Sequence, residues 1–269
     1  MKFAVKICLF CFLFPYQLLF AQNDYTWWNE KHDWDGITPW TRYIIIAPAF
    51  MGPNALPVPA IKKGVLPDDP AFDLAFESHY SKGDQTQNLF MNLYLPLFSD
   101  KAGININLVP IEYYSMDTIT RDLRRARDFD GKGISGGDFY IGTCIQLIKD
   151  KSRLPDAMIS VNLKTASGTN LSAARFTDTP GYFFDLSLSK TFSLSKSWVK
   201  SFKPYTMIGF YAWQTNRDDY RQNDAYIYGI GIEADLTKFK VGTCFGGYSG
   251  YIDNGDKPCL LYTFRAHET

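Results

Sequence analysis

The stretch FYIGTCIQLIKDKSRLPDAMISVNLK, residues 139–164, decides the fold. On both sides of the polar link 149–154, apolar residues alternate with polar or small ones. A period of two is typical of a β-strand that has one apolar and one polar face. Two such runs joined by a short polar link predict an antiparallel hairpin.

The same period recurs along most of the chain, and no stretch of comparable length repeats at 3.6 residues. The sequence therefore predicts an all-β fold of about ten strands. Two runs, 203–214 and 258–266, are less cleanly sided than the others. The ten runs are 71–81, 85–97, 104–108, 139–147, 157–163, 184–189, 203–214, 226–236, 239–246 and 258–266.

Strands of this kind fit either a soluble β-sandwich or a transmembrane β-barrel. The polar faces carry charged residues in the middle of strands, and the apolar faces carry Tyr and Phe near strand ends, where a bilayer has its interfaces. Aromatic residues make up 16% of the chain. These features favour an antiparallel transmembrane β-barrel of about 10–12 strands, with the sandwich as the alternative. The mid-strand charges are Glu77, Lys164, Asp185, Glu233 and Lys240.

The lengths of the links also favour a barrel of the outer-membrane type. Short and long links mostly alternate, as they do where short turns face the periplasm and long loops face outward. The short link 82–84 on the outer side is an exception. The short links are 98–102, 149–154, 193–202 and 237–238, and the long ones are 115–136, 167–180, 215–222 and 249–257.

Residues 1–21 are predicted to be a cleavable signal peptide, because Lys2 and Lys6 precede an apolar run at 7–14. We therefore expect export to the bacterial outer membrane. Cleavage would leave 26 basic and 28 acidic residues. The three cysteines beyond residue 21 are far apart in sequence and predict no disulfide framework.

Residues 22–70 form a separate segment that holds four of the six Trp and seven Pro. Because so many prolines forbid a long paired strand, we predict a plug inside the lumen or a periplasmic cap. A first edge strand is the alternative. Residues 71–269 are assigned to the barrel. The last residues, 265–269, lack a terminal aromatic, so a final hairpin is expected beyond Thr269.

Several motifs resemble a family of uncharacterised outer-membrane barrel proteins from Bacteroidota, over roughly residues 48–258. The resemblance implies a barrel of about twelve strands with no assigned substrate, in chains that continue beyond this end. It supplies no catalytic residues. The motifs are LPDAM (154–158), LKTASG (163–168), ARFTDTPGYFFD (174–185), GFYAWQTN (209–216), QNDA (222–225) and NGDKP (254–258).

His79 and Ser81 are the best catalytic candidates. Side chains two residues apart on a strand share a face, as a base and its nucleophile must, and Glu77 lies on the same face. The His-x-Ser pattern is similar to those of outer-membrane phospholipase and lipid A deacylase. However, Lys82 stands where the phospholipase has Asn. In addition, the active sites of these enzymes face lipid, whereas His79 and Ser81 belong to the polar face. An outer-membrane lipid hydrolase is therefore an alternative function.

Four arginines lie within eight residues of a predicted outer loop, where guanidinium groups could contact the phosphates of lipopolysaccharide. Pairing with Asp122, Asp128 and Asp130 inside the loop is the alternative. The whole chain has 28 basic and 28 acidic residues, so no nucleic-acid partner is expected. The arginines are Arg121, Arg124, Arg125 and Arg127.

Polar residues of mixed charge are predicted to line the lumen, which could form an open path or be filled by salt bridges. The first hypothesis is a small channel or transporter for an unidentified solute; a structural or adhesion barrel is a further alternative. No zinc spacing or nucleotide loop is present, so no metal or cofactor is expected, and the expected partners are outer-membrane lipid, lipopolysaccharide and the barrel assembly machinery. Besides Glu77 and His79, the predicted lumen residues are Asn92, Asn105, Asn107, Gln146, Asn162, Lys164, Asp185, Glu233, Asp235 and Lys240.

Overall fold

A computed structural model describes most of the chain. The described residues are 24–47, 50–97, 101–194, 198–215, 221–237 and 239–250, together with the strand backbone at 259–263 and 267–268. The predicted signal peptide and the motif at 254–258 lie outside them.

The described residues form thirteen strands and two short α-helices. The helices are α1 (Thr26–Lys31) and α2 (Thr118–Leu123). The strands are β1 (Ala71–Ser81), β2 (Asp84–Pro96), β3 (Ala102–Met116), β4 (Lys132–Ser135), β5 (Tyr140–Ile148), β6 (Asp156–Lys164), β7 (Gly181–Ser189), β8 (Phe192–Ser193), β9 (Val199–Gln214), β10 (Gln222–Leu236), β11 (Phe239–Gly250), β12 (Cys259–Thr263) and β13 (His267–Glu268).

All thirteen strands belong to one antiparallel sheet. Ten of them follow one another in the order β1-β2-β3-β5-β6-β7-β9-β10-β11-β12, while β4 pairs with β3, β8 with β9 and β13 with β11. Each of these ten strands overlaps one of the ten alternating runs of the sequence. The sheet curls into a half-barrel, and within the described residues β1 pairs only with β2. The prediction of an all-β barrel architecture is confirmed.

The curl buries the polar face and exposes the apolar one. In β5, Tyr140, Cys144 and Gln146 are buried on the concave side, while Ile141 and Ile145 are exposed on the convex side. A sandwich would bury the apolar side chains instead. The convex surface carries large exposed side chains in most of the strands, among them Phe76, Val161, Leu163, Phe184, Ile208, Tyr226 and Ile230.

The N-terminal part of the chain contacts the concave face over residues 50–66, which we call the inner segment. Leu56 and Val58 pack into a buried cluster with Tyr211, Trp213 and Tyr248. The Tyr248 hydroxyl donates a hydrogen bond to the Leu56 carbonyl oxygen at 2.7 Å. Helix α1 packs instead against the loop 117–131 that follows β3, where Trp28 Nε1 donates to the Arg125 carbonyl and Lys31 forms an ion pair with Asp122.

Candidate functional site

Lys62 of the inner segment reaches a buried polar group on the wall. Its Nζ lies 2.6 Å from Oδ2 of Asp185, which is fully buried in β7, and it also contacts Ser160 of β6. Ser160 Oγ donates to the same Asp185 oxygen at 2.5 Å, and Asn162 Nδ2 donates to Ser160 Oγ at 3.0 Å. One ammonium group therefore completes a hydrogen-bonded set that spans two neighbouring strands.

Three further contacts hold residues 63–66 of the inner segment. Lys63 forms an ion pair with Glu233 of β10. The Gln146 side chain accepts a hydrogen bond from the Leu66 backbone N–H at 2.7 Å and donates to the Gly64 carbonyl at 2.9 Å. Residues 62–66 are thus bound to the wall by ionic and hydrogen-bonded contacts, whereas Leu56 and Val58 are bound by apolar packing.

A second buried network surrounds Arg175, which lies in the loop between β6 and β7. Its Nε donates to Glu112 at 2.7 Å, its Nη1 to Asp84 at 2.9 Å and its Nη2 to Thr86 at 2.6 Å. Arg124 Nη1 also reaches Asp84, at 2.5 Å. Burial alone would lower the pKa of Arg175, but the carboxylates of Glu112 and Asp84 outweigh burial and leave that pKa raised. The guanidinium therefore stays charged.

The inner segment also takes part in this network. Asn54 donates from Nδ2 to Asn88 Oδ1 at 3.3 Å and makes a short contact with Glu112. Asn88 in turn donates to Glu77 of β1 at 2.9 Å. The network thus links β1, β2, β3, the loop after β6 and the inner segment.

A third buried pair joins Lys164 of β6 to Asp138, with 2.6 Å between Nζ and Oδ2 and no exposure of either side chain. Lys164 also donates to the Thr179 carbonyl at 2.8 Å. The other oxygen of Asp138 accepts from the backbone N–H groups of Ser167 and Gly168 at 2.7 and 2.6 Å. These bonds fix the loop 165–180 against the end of the sheet.

The residues predicted to line the lumen lie on the concave side of the sheet. Gln146, Asn162, Lys164 and Asp185 are buried there and take part in the contacts above. The other six are partly exposed, and Asn92 donates to Asp73 at 3.0 Å. These six are Asn92, Asn105, Asn107, Glu233, Asp235 and Lys240.

The structure does not join His79 and Ser81 as a base and its nucleophile. His79 Nε2 lies 3.7 Å from Glu77 Oε2 and makes no hydrogen bond within the described residues. Ser81 Oγ donates instead to the Asp84 carbonyl, at 3.1 Å, across the β1–β2 turn. The three residues share the edge strand β1, and their geometry gives no support to proton transfer from Ser81 to His79.

Three of the four loop arginines are engaged within the protein. Arg124 belongs to the Arg175 network, and the Arg121 guanidinium carbon lies 4.4 Å from the centroid of the Trp27 ring.

The Arg127 guanidinium carbon lies 3.8 Å from the centroid of the Tyr25 ring. The Trp28, Trp40 and Trp34 rings also surround Arg127, with centroids at 4.8, 5.0 and 5.8 Å. Of the four, Arg125 alone has an exposed side chain; contact with lipopolysaccharide stays a prediction.

Several residues of these networks were not among the sequence candidates. Asp84 shares the inward face of β2 with the predicted Asn92, and that parity could have identified it. Glu112 lies beyond a register shift that reverses the parity of Asn105 and Asn107 on β3, so alternation does not indicate it. Lys62 and Arg175 lie outside regular strands, so no periodicity indicates where their side chains point. The Trp-rich segment and the Arg-rich loop are each unusual in composition. Because arginine binds to the faces of aromatic rings, this composition could have predicted cation–π contacts between the two.

Models of known protein families and the sequences of curated proteins show no match to this chain. The resemblance to Bacteroidota barrels therefore stays a prediction. Within the described residues, no cluster of His, Cys, Asp or Glu could hold a metal ion. No helix in that part of the chain has both the length and the apolar character needed to cross a membrane.

Proposed function

We propose that the protein is an outer-membrane β-barrel that forms a small channel for an unidentified solute, with the inner segment as its plug. The observation that carries the proposal is the inversion of the sheet: the polar face is turned inward and bears the inner segment, while the apolar face is turned outward. This is the arrangement that a bilayer requires of a spanning barrel.

The membrane part of the proposal rests on the convex surface. Phe76 is 73% exposed and Ile230 is 62% exposed, although they belong to strands far apart in the sheet. A soluble monomer seldom exposes contiguous apolar surface of this extent. Lipid would cover it without any partner protein.

The channel part of the proposal rests on how the inner segment is held. The ion pairs of Lys62 and Lys63 and the hydrogen bonds of Gln146 can be replaced by water when the segment moves. The wall beneath them carries Asp185 and Glu233, so it stays polar after the segment leaves. Such a wall suits passage of a hydrated solute.

Single-channel recording in planar bilayers tests the proposal with the double variant Lys62→Met/Lys63→Met. We expect rare openings for the unaltered protein and a several-fold higher open probability for the variant, because two anchors of the plug are lost. The control variant Lys82→Met/Lys132→Met removes the same charge from two exposed positions beside the β1–β2 turn and the loop 117–131, at the other end of the sheet. It should leave the open probability unchanged. Absence of conductance in all three, with a heat-sensitive gel mobility that shows folding, would contradict the channel.

A structural or adhesion barrel is the second candidate function. The observation that favours it is the dense buried cluster of Tyr211, Trp213 and Tyr248 against Leu56 and Val58, which is apolar and not readily hydrated. A barrel of this kind would show the gel-mobility shift and no conductance, even in the Lys62 and Lys63 variant.

A further inference from the structure

A cleft opens beside the link between β5 and β6. It has a volume of 540 Å³, within the usual range for ligand pockets. Four cationic side chains line it, together with the apolar Leu147 and Leu154. The four cations are Lys101, Lys149, Lys151 and Arg153.

The apolar side of the cleft continues the convex face of the sheet. Leu147 is 54% exposed and points to the same side of β5 as Ile145 and Ile141. Leu154, which is 51% exposed, lies on the other side of the link. The cleft therefore has cations at the end of the sheet and exposed leucines toward the surface that we propose faces lipid.

The link that carries the cations is held in one conformation. Lys190 Nζ donates to three carbonyls of the link, those of Lys151, Ser152 and Leu154, at 2.6, 3.0 and 2.8 Å. The Asp150 backbone N–H donates to Asp156 Oδ1 at 2.7 Å. A fixed link presents its side chains without a large ordering cost when a ligand binds.

The cations of the cleft are not equivalent. Lys149 lies 2.5 Å from Asp68, which neutralises much of its charge. Lys151 and Arg153 are exposed, and they are the side chains best placed to meet an anion. Arg153 is suited to phosphate because its guanidinium can form two parallel hydrogen bonds.

The surrounding end of the sheet is basic as well. Its described link residues, 101, 149–155, 190–194 and 198–200, contain six basic residues and one acid, Asp150, and the exposed Asp68 and Asp69 at the Lys149 side bring the acids to three. At the opposite end, the loop 117–131 carries four arginines and four aspartates, so its charges balance. An anionic ligand is therefore attracted to the end that holds the cleft.

We propose that this cleft binds the headgroup phosphate of an anionic phospholipid, with the acyl chains lying along Leu147 and Leu154. The proposal rests on the membrane assignment made above. Cations beside exposed leucines match a molecule that is anionic at one end and apolar at the other. A free phosphate would use the cations and leave the leucines without a partner.

The test uses the full chain folded into phosphatidylcholine nanodiscs that contain a minor fraction of phosphatidylglycerol. Native mass spectrometry counts the lipids that stay bound after release from the disc. We expect retention of phosphatidylglycerol over phosphatidylcholine, and a loss of about fivefold in that preference for each charge removed in Lys151→Gln/Arg153→Gln. Lys82→Gln/Lys132→Gln is the matched control at the opposite end and should keep the preference.

Three outcomes would overturn the proposal. The unaltered protein could retain both lipids equally, or the two double variants could lose the preference equally. Inorganic phosphate could also displace phosphatidylglycerol completely at a concentration no higher than that of the lipid, which would show that the leucines add nothing to phosphate binding. Failure to enter phosphatidylcholine discs, seen as an unshifted gel band, would instead contradict the membrane assignment and thereby remove the basis of the lipid site.

Discussion

Arg175 lies completely buried, and its guanidinium donates to Glu112, Asp84 and Thr86. We expect Arg175→Ala to lower the free energy of unfolding by about 3–5 kcal/mol, because it leaves buried carboxylates without their main partner. Urea unfolding of the protein folded in detergent micelles measures this change. Arg125→Ala, at an exposed position in the neighbouring loop, should stay within about 0.5 kcal/mol. Equal effects of the two substitutions would contradict a stabilising network.

At this scale, the sequence indicates which face a strand residue occupies but not which partner it meets. The alternation of β6 and β7 correctly places Asn162, Lys164 and Asp185 on the polar side. The bonds of Lys164 to Asp138 and of Asp185 to Ser160 and Lys62 depend on the register of the sheet and on the path of the inner segment. Neither has a local signature, since Lys62 and Asp185 are 123 residues apart.

Helix α1 is held against the loop 117–131 chiefly through Trp28. Its ring is fully buried, and its Nε1 donates to the Arg125 carbonyl at 2.9 Å. We expect Trp28→Ala to free this contact and to raise the rate of trypsin cleavage after Arg125 and Arg127 at least tenfold, because local opening then costs less.

Limited trypsin digestion followed by mass spectrometry checks that expectation. Ile37→Ala is the control, since Ile37 is exposed and belongs to the same N-terminal region. An unchanged cleavage rate in Trp28→Ala would mean that other contacts, such as the Lys31–Asp122 ion pair, hold α1 in place.

Strand prediction succeeds where the alternation is uninterrupted and stops where it is broken. The alternating run 104–108 covers only part of β3, which extends to Met116. The pairing register of β2 with β3 shifts between Leu89 and Met91 of β2. Beyond this shift the inward-facing positions of β3 change from odd to even residue numbers, so Glu112 and Tyr114 are buried. A bulge of this kind hides the second half of the strand from a period-two analysis.

The whole sheet presents its apolar side outward, and Ile230 lies near the middle of β10 on that side. We expect Ile230→Arg to lower the free energy of unfolding in lipid vesicles by about 2–4 kcal/mol, because a charge near the bilayer midplane is costly. Ile119→Arg is the control: Ile119 is 69% exposed but lies in α2, outside the strands. Comparable losses for both would contradict a lipid-facing convex surface.

The hydrogen bond from Tyr248 to Leu56 has a consequence for the order of events during biogenesis. The two residues are 192 positions apart, so an early-synthesised part of the chain meets a surface to which β11 contributes late. Contacts of such long range form slowly and leave apolar side chains uncovered in the meantime. Leu56 and Val58 must therefore wait, unprotected, until the sheet has assembled. The inner segment docks late although it is made early, and under the proposed export Leu56 and Val58 would need a chaperone to cover them before the sheet is complete.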